Sequence, residues 1–552
     1  MQKFKQIYSS LTQREKKILI GAGVTALVTI LGLGIMLVKK STWAMPVAGG
    51  EYIEGAVGQP TLINPILATS EIDKSLVRLI FSRLGDVADK IERLENEDWK
   101  VRIKEGVKWS DGEKLTSDDI IFTIQRIQDQ DARSPLYYKF QDVLIKRLSE
   151  LEIQIKSGQA ATTFFKNLED LYILPKHIFG DVPTLNWRIS DYNLSPIGSG
   201  VFKLINFKKG RDGFISDYQL GINENYNSEA LIENFTFKFF RDREGLIQAF
   251  NRGVIDGFGG LEPEELAEIK RPNQEIKFKS PGYYAVFINQ SRNETLGEKA
   301  IRKSLEVSTP KQKILTEILA GRGEIRVSPL PYNFNNFKTP ILESVGESKA
   351  SDILEQAGWF FPKEDENLQS EVRYKTFGKE RRPLVISLTV PEIPFLTKAA
   401  EILKTAWEKE GFKIELMSKP IDLLSKEITK NRDYEMLLYG NELNKDWDLF
   451  YFWHSSQKFD PGINLALYQN AKVDSLIENL QEESDQEKRK GDLREVATLI
   501  KEDYPAIFLF SQDYIYISQN ELKGVLSNAI EEPADRFLGV KDWYLKTVRV
   551  LK

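Results

Sequence analysis

A chain of 552 residues with a formal net charge of −5 can build several cores, most simply three compact units behind a leader. Its 76 basic residues stand against 81 acidic ones, which excludes a broad nucleic-acid surface. The absence of cysteine excludes a disulfide framework and any thiolate metal site, and is compatible with export.

Ile18 to Val38 is an uncharged apolar run, long enough at ~1.5 Å per residue to cross ~30 Å of hydrocarbon. Lys3, Lys5, Arg14, Lys16 and Lys17 precede it against Glu15 alone, and only Lys39 and Lys40 follow. That asymmetry places residues 1–17 in the cytoplasm, residues 18–38 across the cell membrane as a single-pass anchor, and the remainder outside, extracellular or periplasmic. The run is longer than most signal-peptide cores and no small-residue cleavage pattern follows, so an uncleaved anchor is expected. Thr12 and Glu15 fit a capping box, and Trp43 falls at the level of the outer headgroups. Residues 39–50 read as a linker reaching at most ~35 Å.

Beyond it, the strand EYIEGAV leads through the turn-rich GQPTLINP into a helix. Trp99, Val101 and Ile103 alternate with charged residues, which predicts a strand with one buried face. Thr116 and Asp119 match a capping box ahead of the stripe Ile120, Ile121, Ile124 and Ile127. Asp111, Asp118 and Asp119 fit turn and cap roles better than metal ligation. Leu151 to Ile155 is a strand, and SPIGSGVFKL (Ser195 to Leu204) sets two glycines before another, where the backbone can approach a neighbour closely. Further strands are expected at Phe235 to Phe240 and Tyr283 to Asn289, with helices at Arg243 to Asn251, Glu298 to Leu305 and Pro310 to Ala320. Gly321 to Arg382 reads as loop apart from a helix around Ser351 to Ala357.

The clearest architecture follows. Leu384 to Val390 is a strand, Thr397 to Glu410 a helix with Ala399, Ile402, Leu403 and Ala406 on one face, and Phe412 to Leu416 a strand. Ile421 to Lys430 is a helix and Tyr434 to Tyr439 a strand. This βαβαβ run implies a parallel sheet with ligand positions at the carboxyl ends of its strands. Tyr439, Gly440, Asn441 and Glu442 occupy such an end, followed by the aromatic run Phe450 to Trp453 with His454. That run is either a ligand wall or a cluster packed on itself.

No GxxxxGK[ST], HExxH or GxSxG occurs, and the SxxK matches at Ser308/Lys311 and Ser455/Lys458 lack the companion motifs. Ser308 reads as a helix cap, and His177 and His454 as locally bonded. Nothing in the residues demands an enzyme, no metal site is called and no cofactor is expected. Two alternatives stay open: an anchored surface hydrolase acting on glycan or peptidoglycan with a Glu/Asp pair, and a non-transport sensor on the same fold.

The order of motifs resembles the extracellular solute-binding proteins of peptide ABC transporters, family 5 (dipeptide and oligopeptide-binding). Its landmarks are PTLINP (Pro60 to Pro65), VKWSDGEKLTSDDIIFTI (Val107 to Ile124) and ILPKHIF (Ile173 to Phe179). They continue in SPIGSGVFKL, RKSLEVSTPKQKIL (Arg302 to Leu315) and NLALYQNAKVDSLI (Asn464 to Ile477). The resemblance covers nearly all of the chain from about Glu51 onward.

The resemblance implies an α/β class II periplasmic-binding-protein fold of two lobes, preceded here by one transmembrane helix. Lobe I would comprise 51–85, 190–287 and 506–552, with an extra domain at 86–189, and lobe II would comprise 288–505. The hinge would lie at Phe287 to Gln290 and near Ala506 to Phe510. A peptide ligand would be captured between closing lobes and delivered to ABC permease subunits served by a separate ATPase, by a monomer held to the membrane through its N-terminal helix. By position, Gly58, Gln59 and Thr61 in the first lobe and Tyr439, Gly440, Asn441 and Glu442 in the second would touch substrate. In peptide-binding members an aspartate just past this strand pairs with the ligand's α-ammonium; here Leu443 holds that position, with Glu442 adjacent. Sugars, nickel, haem and signalling peptides remain further ligand classes.

Overall fold

The computed structural model describes residues 12–94, 98–159, 161–226, 230–331, 348–363, 368–443, 447–483, 485–526 and 529–551. Lys3 and Lys5, with most of the expected cytoplasmic segment, lie outside the described residues. The first helix, Gln13–Ser41, opens on the expected capping box: Thr12 N–H donates to the Glu15 carboxylate at 2.8 Å, and Glu15 N–H to Thr12 Oγ1 at 3.4 Å. Its window Gln13–Leu33 is apolar and none of it is buried.

The helix runs directly into the strand Thr42–Val47, which pairs antiparallel with the last strand, Lys546–Leu551. The free linker expected over residues 39–50 is therefore corrected: its centre is locked in a ribbon. A partner some 500 positions downstream leaves no local signature.

The first large sheet has seven strands. In spatial order they are Gln274–Phe278, Tyr514–Ser518, Gly257–Gly259, Glu51–Val57, Asn234–Phe240, Ile215–Ile222 and Phe202–Lys209. A separate antiparallel sheet orders Ala88–Arg93, Trp99–Ile103, Glu152–Lys156 and Leu144–Arg147. Both contribute to one apolar core, in which Tyr52, Ile80 and Phe235 join Trp109, Ile124 and Ile153. The Thr116/Asp119 cap appears as read, with Thr116 N–H on Asp119 Oδ2 at 2.8 Å. The Asp119 second oxygen accepts from Lys176 N–H at 2.9 Å, while Asp111 bonds His177 and Asp118 pairs with Arg147. Gly198 makes the close approach expected of its motif: a Cβ there would stand 2.0 Å from the Ile80 carbonyl oxygen.

The second large sheet orders Gly323–Ile325, Ala506–Gln512, Tyr283–Ile288, Met436–Asn441, Val385–Pro391 and Lys413–Lys419. Its last three strands are the βαβαβ unit read from the sequence, parallel throughout. Helix Pro394–Lys409 buries Leu396, Ala399, Ala400, Leu403 and Trp407 against that sheet, and each large apolar chain so buried contributes ~1.5–3 kcal/mol. Between Gly321 and Arg382 the chain is more regular than its composition suggests, because Tyr374–Phe377 and Glu380–Pro383 form a hairpin.

The crossings between sheets lie earlier and later than the family pattern implied. Phe287 sits inside a strand of the second sheet, as do Ala506 to Phe510. The chain leaves the first sheet after Phe278 and enters the second at Tyr283; it returns across Asp513 alone, between Gln512 and Tyr514. The two crossings between the sheets are thus 279–282 and 513. All-apolar strands look central in whichever sheet holds them, so nothing in their composition corrected a boundary implied by the resemblance.

Candidate ligand-binding cleft

Both crossings open onto one cavity of about 820 Å³, within the usual range for small-ligand clefts. The first sheet's side supplies Gly260, Leu261, Glu262, Tyr514 and Ile530 to Pro533; the second supplies Pro391, Ile393, Leu396 and Tyr439 to Glu442. Pro391 and Asn441 end parallel strands of the βαβαβ unit, so the cleft lies where that topology places ligands.

The four second-lobe candidates come together here. Tyr439 OH lies 3.1 Å from Ser425 Oγ. Gly440 stands opposite Tyr284 in the register, and a Cβ on it would come within 2.9 Å of the Tyr284 ring. Glycine thus lets the phenol lie flat across the strand end. Asn441 is buried and donates its Nδ2 to Tyr283 OH at 3.0 Å, where Trp453 Nε1 donates too, also at 3.0 Å. Its role is to hold the wall. Glu442 is exposed, lines the cavity and has no ion-pair partner among the described residues. Leu443, by contrast, is buried in the apolar cluster that also holds Trp453 and Tyr468, so no charge could replace it without cost.

Carboxylates face one another across the opening. Burial pushes the Tyr284 phenol up to about 12, helped by the negative fields of Glu442 and Glu262. Burial and then the neighbouring Glu265 raise the Glu262 carboxyl above its ordinary value. Glu532 is held by Lys74 and Arg78, and Asp460 by Lys430 at 3.5 Å. Glu442 and Glu262 are left as the acids most open to a ligand's positive charge.

One strand edge is bare. The Val385–Pro391 strand accompanies Met436–Asn441 only at the pairs Leu388–Met436 and Thr389–Leu437. Beyond Leu437 that edge makes no ladder pair among the described residues, although Val390 and Pro391 still continue the neighbouring strand, while its other side stays paired to Tyr283–Ile288.

The first-lobe candidates sit elsewhere. Gly58 (φ 110°) and Gln59 line a neighbouring pocket of about 300 Å³ with Arg243, Gly259 and Arg536. Gln59 Oε1 accepts from Ile215 N–H at 2.8 Å, and Thr61 bonds the Asp73 carboxylate through its N–H at 2.8 Å and its hydroxyl at 2.9 Å. These contacts hold the turn, and the structure does not bring the three residues to the large cavity. The aromatic run divides as well: Phe452 lines the cavity, while Trp453 packs on Phe508, Tyr468 and Phe287. His454 stacks on Phe450 at 4.7 Å and bonds Ser456 at 2.8 Å. The Ser308 hydroxyl turns back to the Ser304 carbonyl at 2.6 Å, at a helix end.

Sequence reasoning missed Glu262, Tyr284, Gln512 and Asp513. The signal available was punctuation: Ser280, Pro281 and Gly282 break one apolar stretch and Asp513 another.

Two α/β lobes joined by two crossing segments, with a ligand-sized cleft at their strand ends, define a periplasmic-binding-protein fold. The chain belongs to the bacterial extracellular solute-binding proteins of family 5, matching the family description "Bacterial extracellular solute-binding proteins, family 5 Middle" over residues 64–461. Members of this family are substrate-binding proteins of ABC transporters rather than enzymes. The oligopeptide-binding protein AppA of Bacillus subtilis is 26% identical over 535 residues, covering 92% of this chain and 93% of that protein. Its structure in complex with a nonapeptide has a TM-score of 0.62 at 23% identity, covering 91% of this chain and all of that one. The substrate-binding protein CtaP of Listeria monocytogenes has a TM-score of 0.72 at 20% identity, over 90% of this chain and 99% of that one.

Proposed function

We propose that this chain is the membrane-anchored, extracellular binding subunit of an ABC importer, that it takes an extended peptide between its lobes, and that it hands the peptide to permease subunits served by a separate ATPase. The observation that carries the reading is the unpaired edge of the Met436–Asn441 strand past Leu437, which runs to Asn441, next to Glu442, on the inter-lobe cavity. Peptide main chain can pair along such an edge as an added strand, gaining affinity from backbone bonds with little demand on side chains. Glu442 then receives the α-ammonium, in place of the buried Leu443. Closing about residues 279–282 and 513 brings Gly260 to Glu262 over the ligand and changes the outer surface that a permease reads. The B. subtilis relative is an oligopeptide-binding protein by name, which supports a peptide ligand here. Nickel is disfavoured because His177 is paired with Asp111 and His454 with Ser456, and neither lines the cavity. The apolar helix supports the anchor, with the N-terminus cytoplasmic.

The test is mass spectrometry of whatever co-purifies with the full chain, followed by melting of the stripped protein with peptide mixtures. A peptide in the eluate and a melting temperature that rises with it are expected. An empty eluate and no shift across a broad library would remove the peptide reading.

A further inference from the structure

The first helix and the first strand meet without a loop. Thr42 caps the helix at φ −128° and ψ 152°, already extended, and is the first residue of the strand. In the ribbon that follows, Trp43 lies opposite Val550 and Met45 opposite Val548. Alternation puts these four side chains on one face. Three of them are open to solvent, Trp43 at 57% and Met45 and Val548 at 46% each, while Val550 is half-buried. The opposite face is mixed: beside Ala44 and Pro46 it carries Thr42, Thr547 and Arg549, whose guanidinium donates to Thr42 Oγ1 at 3.1 Å. A two-stranded ribbon is marginal in water by itself, and this one needs a surface for its apolar side.

Position and charge say which surface. The apolar run ends at Val38, Lys39 and Lys40 follow within one turn, and Trp43 comes next. If the run spans ~30 Å of hydrocarbon, the ribbon begins at the headgroups, where tryptophan partitions. Lys39, Lys40, Lys546 and Arg549 surround it with the charge that anionic headgroups attract. Resting on the reading that the helix crosses the bilayer, we infer that the Trp43, Met45, Val548 and Val550 face lies on the outer boundary between headgroups and acyl chains. The carboxyl-terminal strand is then a second membrane contact, made by a segment that no hydropathy scan would select. The lobes are held at a fixed height by a ribbon instead of swinging on a free linker.

The chain has no cysteine, so single nitroxide labels can be placed without removing native thiols. Leu27→Cys, Met45→Cys, Val548→Cys and Thr547→Cys are labelled in the full chain, reconstituted in mixed phosphatidylcholine and phosphatidylglycerol vesicles. Collision with oxygen, which enters lipid, is compared with collision with a water-soluble nickel chelate. Oxygen should dominate at 27, 45 and 548, and the chelate at 547. A label at 548 as wet as at 547, with 27 still in lipid, overturns the ribbon contact and leaves the anchor standing. A wet label at 27 removes the anchor reading and this inference with it. Labels at 45 and 548 shielded from both agents would show protein on that face, a second copy for example, and would overturn the lipid assignment.

Discussion

Lys279 Nζ lies 3.0 Å from Asp513 Oδ1 and 3.2 Å from Oδ2, so the two segments that cross between the lobes are tied to each other by one ion pair. Glu324 joins it at 3.1 Å from the same ammonium. A second link spans the lobes nearby, where Arg322 grips Glu275 through two bonds of 2.9 and 2.7 Å. The Asp513 side chain is 2% exposed and that of Lys279 44%, so solvent screening keeps the pair's contribution modest. Asp513→Asn should cost about 1 kcal/mol in urea unfolding. It should also widen the unliganded chain's small-angle scattering profile, as the lobes swing more freely. An unchanged profile would mean that backbone geometry alone sets the lobe angle.

Gly440→Ala places a methyl 2.9 Å from the Tyr284 ring. The ring must move into the cavity or the strand end must shift, a strain of about 1–3 kcal/mol. Weaker binding of a library peptide is expected alongside a lower melting temperature. Full affinity in the variant would show that ligand does not touch this strand end.

Glu442→Gln removes a cleft acid that has no ion-pair partner among the described residues, while keeping its size. Titration calorimetry should show a loss of about tenfold or more for a peptide with a free amino terminus, about 1.4 kcal/mol. The N-acetylated form of the same peptide should bind wild type and variant alike. Equal losses for both forms would assign Glu442 a role other than ammonium recognition.

Glu54 is wholly buried beneath the smaller pocket, accepting from Tyr516 OH at 2.6 Å and Arg536 Nη2 at 3.1 Å. Burial pushes its carboxyl up to about 7, against the pull of Arg536. The unfolded value is near ~4.3. A group raised on folding binds its proton more tightly in the native state. Its stabilising contribution is therefore full below the unfolded value and is lost as pH rises through about 7. Glu54→Gln, which cannot titrate, should flatten the wild type's fall in unfolding free energy across that window, by about 4 kcal/mol at most. Parallel curves would show that Glu54 stays ionised throughout.

Legibility followed the range of the interactions. The βαβαβ unit could be read because each element's period and stop signals, such as Gly411 after the Pro394–Lys409 helix, are local. It placed Tyr439 to Glu442 at a strand end, and these four residues line the cavity. The Gly58 to Thr61 turn was assigned by family position alone, and its polar groups are spent on Ile215 and Asp73. The far wall was illegible for a different reason. Glu262 and Gln512 are separated by 250 positions, and only the two crossings bring them to one opening. The ribbon partner of Trp43 was hidden in the same way.

The strand order of the first sheet carries a consequence for synthesis. Tyr514–Ser518 fits between Gly257–Gly259 and Gln274–Phe278, and Lys546–Leu551 pairs back to Thr42–Val47. A ribosome releasing this chain from its amino end would therefore complete every element of the second sheet before the first sheet's gap is filled. A nascent polypeptide stalled between Phe278 and Tyr514 keeps an open slot with two raw strand edges, and only Tyr514–Ser518 closes it.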